Sequence, residues 1–407
     1  MTDLHFVADG PVDLQPEDEL SVVEGVRSGD LVYFERVADH HVQLRTLAPG
    51  ADRPPAAAIY RVTPGRSPGQ MQFIPVAGLG GNSAGPHDRF VGALLGGAIG
   101  DALGYPVEAA GGNARRAGHG PITDYLPLRD GSRRGVISDD TQLTIHVAAC
   151  LAANGWLDPA DLARRFVGWL AEMRGEGQAT VEAVRRLQRG VPWHAAGSDS
   201  AGNGAAMRAA PIGLFRAADP LLLRTEAVLS ALPTHRAPMA VAGAVAMAAA
   251  VGWLLHRQPG TWTVAEFIAA VQQAIGGIEP GPLAERQHPE VRTTLAARLG
   301  EIPALLALAP ADYFTRYSGA FVLESLPAAF YCFLRTPDDV EASLLAAVNH
   351  ARDADTVAAM AGTLGGALGG SAALPARLVE GLEPRAALLQ LAEQLFAVAG
   401  SGTIPAS

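Results

Sequence analysis

Ser138-Asp139-Asp140-Thr141 and Asp353-Ala354-Asp355-Thr356 are the two stretches that decide how this chain is read. Each stands at the entrance to an apolar, Ala-rich run with the look of a helix, Thr141 to Ala153 in one case and Thr356 to Leu368 in the other. Ser and Asp are favoured helix caps and suit the positive end of the helix dipole, so each cluster alone is accounted for by capping. Two such clusters offer more: four carboxylates with neighbouring hydroxyls, an oxygen-only donor set of the kind hard divalent cations prefer. Asp353 and Asp355 are two residues apart and would not share a face of a regular helix. As ligands they suit an irregular turn at the helix start.

Outward from these clusters the chain from His87 on is helical in pattern almost throughout. Phe90 to Leu103, Pro159 to Met173, Thr180 to Gln188, Pro220 to Leu232 and Ala237 to Leu255 are apolar runs with helical spacing or small-residue packing. Val264 to Ala274, Pro289 to Leu299, Ala320 to Phe333, Val340 to Val348 and Ala386 to Ala399 continue the series. Residues 1–65 differ. Leu31 to Val37, His41 to Leu47 and Ala57 to Val62 read as strands, which makes this segment a small β-rich module. Residues 66–87 are rich in Gly, Pro and Ser and read as a linker to a helical domain over 88–407. The expected fold is mainly α, an all-α domain preceded by a small β module.

Composition narrows the function. The 407 residues are 49% hydrophobic, enough for a large core, and only 6% aromatic. Every basic residue other than histidine is arginine. A net charge of −10 argues against general nucleic-acid binding, which needs many cationic contacts to phosphate. Cys150 and Cys332 are isolated in apolar helical contexts, without zinc spacing. Met1 to Gly10 lacks the apolar core of a secretory signal, so the expected location is cytoplasmic. Ala237 to Leu255 is long and uncharged, but its Ala, Gly and Val content suits a helix buried in a helical protein better than a membrane span.

A second kind of signal lies between the acidic clusters. Ser200-Ala201-Gly202-Asn203-Gly204-Ala205-Ala206-Met207-Arg208 is a Gly-rich turn entering a short helix. Such a turn has little side-chain bulk and backbone N–H groups that can cradle phosphate. Arg174 to Thr180 is a second Gly-containing helix entrance, and Thr234-His235-Arg236 is a polar break between apolar runs.

In this order the segments resemble the ADP-ribosylglycohydrolase family, also called dinitrogenase-reductase-activating glycohydrolase-like. The resemblance starts at Asp88 to Gly104, includes Pro106-Val107-Glu108, Ser138 to Thr141 and Gly202 to Arg208, and closes on Asp353 to Gly362. It implies an orthogonal α-helical bundle with two Mg²⁺ ions, sometimes Mn²⁺, at the base of a cleft. By motif, Ser138, Asp139, Asp140, Asp353, Asp355 and Thr356 match metal ligands. Ser138 stands where Thr is usual and keeps the ligand oxygen. Glu108 matches an acid near one metal. Gly177, Ser200, Gly202, Asn203 and Gly204 match the lining of the ADP-ribose phosphates and ribose, and His235 matches a residue near the ribose. His350-Ala351-Arg352 departs from the Gly that commonly precedes the second cluster.

The implied chemistry is hydrolysis of a glycosidic bond between ADP-ribose and a protein side chain or small molecule. Carboxylates committed to a metal are poor proton acceptors, so Glu108 is the first choice for general base, with Asp140 next. An alternative is an immunity or antitoxin partner on the same fold, whose N-terminal module blocks an ADP-ribosylating toxin. A dinuclear phosphate-ester hydrolase is a third reading. Expected partners are the ADP-ribosylated substrate and a protein bound through residues 1–85, with no membrane contact.

Overall fold

The computed structural model describes the strand segments within residues 19–75 as backbone, and residues 85–401 apart from 109–117, 129–130, 132–133, 176, 280–292 and 317–318. Internal contacts divide the chain into Met1–Pro86 and His87–Ser407. In the first unit, Glu19–Val22, Leu31–Ala38, His41–Thr46, Ile59–Pro64 and Met71–Pro75 are strands. They pair in the order first, third, second, fourth, fifth. The remainder of the small module expected over 1–65 lies outside the described residues. Two regular elements fall within the linker expected over 66–87. Met71–Pro75 is a strand in antiparallel register with Ile59–Pro64, Val62 opposite Phe73, and a helix already starts at Pro86. The Gly, Pro and Ser of the flanks hide the short extended pattern of Met71-Gln72-Phe73-Ile74 between them.

The second unit is mainly helical, and its site is positioned by two helices in backbone contact. Pro86–Gly104 carries glycine at every fourth position from Gly92 to Gly104, a spacing that places them on one face. That face lies directly on Ala354–Gly369. A Cβ on Gly92 would stand 2.5 Å from the Gly366 carbonyl oxygen, one on Gly96 would stand 2.3 Å from that of Gly362, and one on Gly100 would stand 2.2 Å from that of Ala358. A Cβ on Gly104 would meet the Asp355 Cα at 2.3 Å. The helices run antiparallel, close enough for weak Cα–H···O contacts. The last glycine sets the second acidic cluster against the end of the first helix.

Pro238–Leu255 is the central apolar helix. It is long and apolar enough to cross a membrane, but 83% of that stretch is buried within the protein, as is 89% of the Pro86–Val107 window. Its final carbonyls, which lack intrahelical partners, are taken up by Arg89. The buried Arg89 Nη1 donates to Leu254 O and Leu255 O, both at 3.0 Å. The helix expected over Pro289 to Leu299 is displaced. Residues 289–292 lie outside the described residues, and the helix is Leu295–Leu305 behind a Thr294 cap. The buried Glu279 fixes that start by accepting from Leu295 N at 2.7 Å and Ala296 N at 3.2 Å.

Candidate active site

The two acidic clusters meet. Ser138 caps Asp139–Asn154, its Oγ accepting from Asp140 N at 3.2 Å. Asp353 occupies the cap position of Ala354–Gly369 with non-helical backbone, φ −89° and ψ 69°, yet its side chain makes no capping hydrogen bond. Its Oδ2 accepts from Asn203 Nδ2 instead. Capping therefore explains Ser138 and leaves Asp353 to other work. Thr356 Oγ1 donates to Asp140 Oδ2 at 3.2 Å, and Ser138 Oγ lies at the same distance from that oxygen. The clusters, far apart in sequence, thus share one carboxylate.

Beside them runs a cleft of about 990 Å³. Glu108, Asp139, Asp140, Asp353, Asp355 and Thr356 line one part of it. Gly177, Ser200, Gly202, Asn203, Gly204 and His235 line another. Of the residues matched to ligand, base or substrate positions, Ser138 alone is not at the cleft surface; it is fully buried beneath the helix start. The Gly-rich turn is stitched in place by Asn203 N donating to Ala320 O at 3.0 Å and Gly202 N donating to Ser200 Oγ at 3.1 Å. Gly175 and Gly177 sit against the acids: a Cβ at Gly175, whose φ is +88°, would stand 2.3 Å from Asp139 Oδ1, and one at Gly177 would stand 2.9 Å from Oδ2.

Asp101 is a candidate site residue that no sequence motif singles out. It is a lone acid in an apolar helix, fully buried, and its carboxylate receives Ser138 N at 2.9 Å, Thr141 N at 3.1 Å and Thr141 Oγ1 at 2.5 Å. It ties the first cluster to the first helix. The signal available in sequence was its isolation: no other charged residue lies between Arg89 and Glu108.

The electrostatics are those of crowded, buried acids. Burial raises Asp101 to about 6 and Asp139 and Asp353 to about 7. Asp140 and Asp355 are pushed well above the carboxylate range, first by burial and then by neighbouring charges. Asp140 Oδ1 is buried with no hydrogen-bond partner among the described residues. Asp101, Asp140 and Asp355 each offer an oxygen within 4.8 Å of one another, and so do Glu108, Asp353 and Asp355. Two oxygen triads sharing Asp355, with an orphaned carboxylate oxygen on Asp140, fit hard divalent cations.

A pH effect follows. Asp139 and Asp353, at about 7, hold protons that the unfolded chain releases near pH 4. Without divalent ions the folded state binds more protons across that window, so stability falls as pH rises through it. The melting temperature of chelated protein is expected to drop between pH 5 and pH 7.5, and Mg²⁺ to raise it more at the higher pH. A melting temperature that climbs over that interval in chelator would contradict the crowding of unpaired acids.

Comparison with known proteins agrees with this geometry. The family model for ADP-ribosylglycohydrolase matches residues 82–403. The ADP-ribosyl-[dinitrogen reductase] glycohydrolase of Rhodospirillum rubrum is 29% identical over 324 residues, 77% of this chain and 97% of that protein. The ADP-ribosylarginine hydrolase Tri1 of Pseudomonas putida is 29% identical over 322 residues, 76% of this chain and 78% of its own length. A solved structure described as an ADP-ribosylglycohydrolase-related protein complex superposes with a TM-score of 0.56 at 30% identity, covering 77% of this chain and 99% of the other. With its mainly helical fold and a matched segment that takes in every acid of the cleft, this chain belongs to the ADP-ribosylglycohydrolase family and is an enzyme of that family.

Proposed function

We propose that this enzyme hydrolyses the glycosidic bond between ADP-ribose and a modified acceptor, and that it requires two Mg²⁺ ions, with Mn²⁺ as substitute. The observation that carries this reading is the pair of oxygen triads sharing Asp355 beside a Gly-walled cleft. Asp101, Asp140 and Asp355 would hold one ion and Asp353 and Asp355 the other, with Ser138, Asp139 and Thr356 completing the sets and Glu108 standing beside the second ion as base rather than ligand. Bound there, the ions supply positive charge that orients ribose hydroxyls and lowers the pKa of water.

The chain's own groups do the rest. Gly175 and Gly177 on one wall and Gly202 and Gly204 on the other admit a diphosphate close to the backbone. Asn203 links that wall to the acids through Asp353. Cleavage at the anomeric carbon passes through an oxocarbenium-like state, with water attacking carbon and the acceptor leaving with a proton. Glu108 is half-buried, whereas the five aspartates are buried. Asp140 Oδ2 is engaged by two hydroxyls. Glu108 is therefore the better placed to take the proton from water.

Residues 1–85 belong to the other unit of the chain, and we assign them target selection rather than chemistry. One experiment tests acceptor and module together. Full-length protein and a chain starting at Pro86 are given arginine- and serine-linked ADP-ribose, as small molecules and on modified protein, and ADP-ribose release is measured. Both chains are expected to cleave a small substrate, and the shortened one to lose rate on modified protein. No release from any ADP-ribosyl substrate would sink the functional reading. Equal activity of both chains on both substrates, with a large fall in melting temperature on truncation, would make the module a stabiliser instead.

A further inference from the structure

Behind the Gly-rich turn lies a buried guanidinium that the chemistry above does not use. Arg208 is fully buried, its carbon 4.8 Å from the centroid of the Phe166 ring. Nη1 donates to Gly204 O at 2.7 Å, and Nη2 donates to Ser230 O at 2.9 Å and to Thr234 Oγ1 at 2.7 Å. One cation thus holds the Gly-rich turn and the Thr234–His235 break in fixed relation.

The third of those bonds decides a proton. Thr234 Oγ1 accepts from Arg208, which has no acceptor atom of its own. The single hydroxyl proton then has two destinations: His235 Nδ1 at 2.9 Å, or Ala231 O at 3.4 Å. The Ala231 carbonyl already accepts Thr234 N at 3.0 Å and His235 N at 2.8 Å. The shorter, unfilled acceptor wins, and donation from a charged group strengthens the hydroxyl as a donor in turn. A neutral imidazole that accepts at Nδ1 carries its proton on Nε2. The imidazole is neutral, since burial, reinforced by the Arg208 charge, lowers it to about 3. Nε2 faces the turn: a Cβ on Gly204 would lie 3.2 Å from it and one on Gly202 3.7 Å. His235 lines the cleft there, and its Nε2 has no protein partner among the described residues.

We propose that Arg208 and Thr234 are positioning residues that fix His235 as a neutral imidazole protonated on Nε2, so that the cleft presents an N–H donor, not a base, to an acceptor oxygen of ADP-ribose. The identity of the ligand rests on the function proposed above; the tautomer does not. Glycine at 204 keeps Nε2 open to the cleft, since a Cβ there would stand 3.2 Å from it.

The test is a long-range ¹H–¹⁵N correlation spectrum of the full-length ¹⁵N-labelled protein, with His235 assigned from its loss in His235→Asn. The wild type at neutral pH is expected to show the Nε2–H pattern. An Nδ1–H or imidazolium pattern would overturn the proposal. Thr234→Val keeps the shape and removes the hydroxyl; it is expected to lose the pure Nε2–H pattern and to weaken binding of free ADP-ribose about tenfold. Thr234→Ser should restore both. An unchanged tautomer in Thr234→Val would also count against the relay. The expected tautomer shifts in a protein that binds no ADP-ribose would uphold the positioning and sink the functional reading instead.

Discussion

Asp355→Asn is expected to lower turnover by about three orders of magnitude, roughly 4 kcal/mol of transition-state stabilisation, while leaving the helical fold intact. Asp355 is the one acid common to both oxygen triads. Asn matches it in shape, and its amide oxygen can still accept from Thr356 N, as Oδ1 does at 2.9 Å. What disappears is a charge that burial and the nearby Glu108 and Asp140 already disfavour. The variant therefore carries a second signature. In chelator it should melt no lower than wild type at pH 7.5, because one crowded carboxylate is gone. In Mg²⁺ it should show little of the wild type's rise in melting temperature. Turnover within tenfold of wild type at saturating Mg²⁺ would remove Asp355 from the ligand set. A fall in melting temperature of the chelated variant would instead make it a structural residue.

Glu108→Gln is expected to reduce turnover by about 10²- to 10⁴-fold, the usual worth of a positioned general base, with free ADP-ribose binding nearly unchanged. Glu108 follows the short 3₁₀ turn Tyr105–Val107, with extended backbone at φ −65° and ψ 156°. That turn carries it from the end of the Gly-striped helix to the cleft wall. Gln preserves its size and hydrogen-bonding reach but cannot take a proton. Single-turnover rates and ADP-ribose titrations on the same preparation separate the two roles. Lost binding alongside lost turnover would make Glu108 chiefly a cation ligand.

Much of this was legible in the chain because the local signals agree with the fold. Ser138, Asp158, Asp219 and Thr263 each cap the helix that follows, and Pro159, Pro220 and Pro238 stand at helix starts where their missing N–H is harmless. The acid clusters announce themselves by repeating Asp and Thr at two helix entrances. Of the two acids expected on an irregular turn, Asp353 is non-helical and Asp355 already lies in the helix.

What the sequence hid depends on tertiary approach. Nothing local to Asp101 says that the start of another helix will lie on its carboxylate. Arg208 looked like the end of a motif, and its grip on Thr234 exists only because Thr234 N bonds back to Ala231 O and turns the chain. The start of Leu295–Leu305 is fixed by Glu279, sixteen residues upstream, so no window around the helix contains it. Met71–Pro75 needed its partner Ile59–Pro64 to be seen as a strand among glycines and prolines.

The central claim is that the two acidic clusters act together as a cation-dependent glycosidic site. The most direct measurement is ADP-ribose release by protein chelated until elemental analysis finds no divalent metal, then titrated with Mg²⁺ or Mn²⁺. No release is expected before the titration and full recovery after it, with recovery absent in Asp355→Asn. Full turnover by the metal-free protein would contradict it.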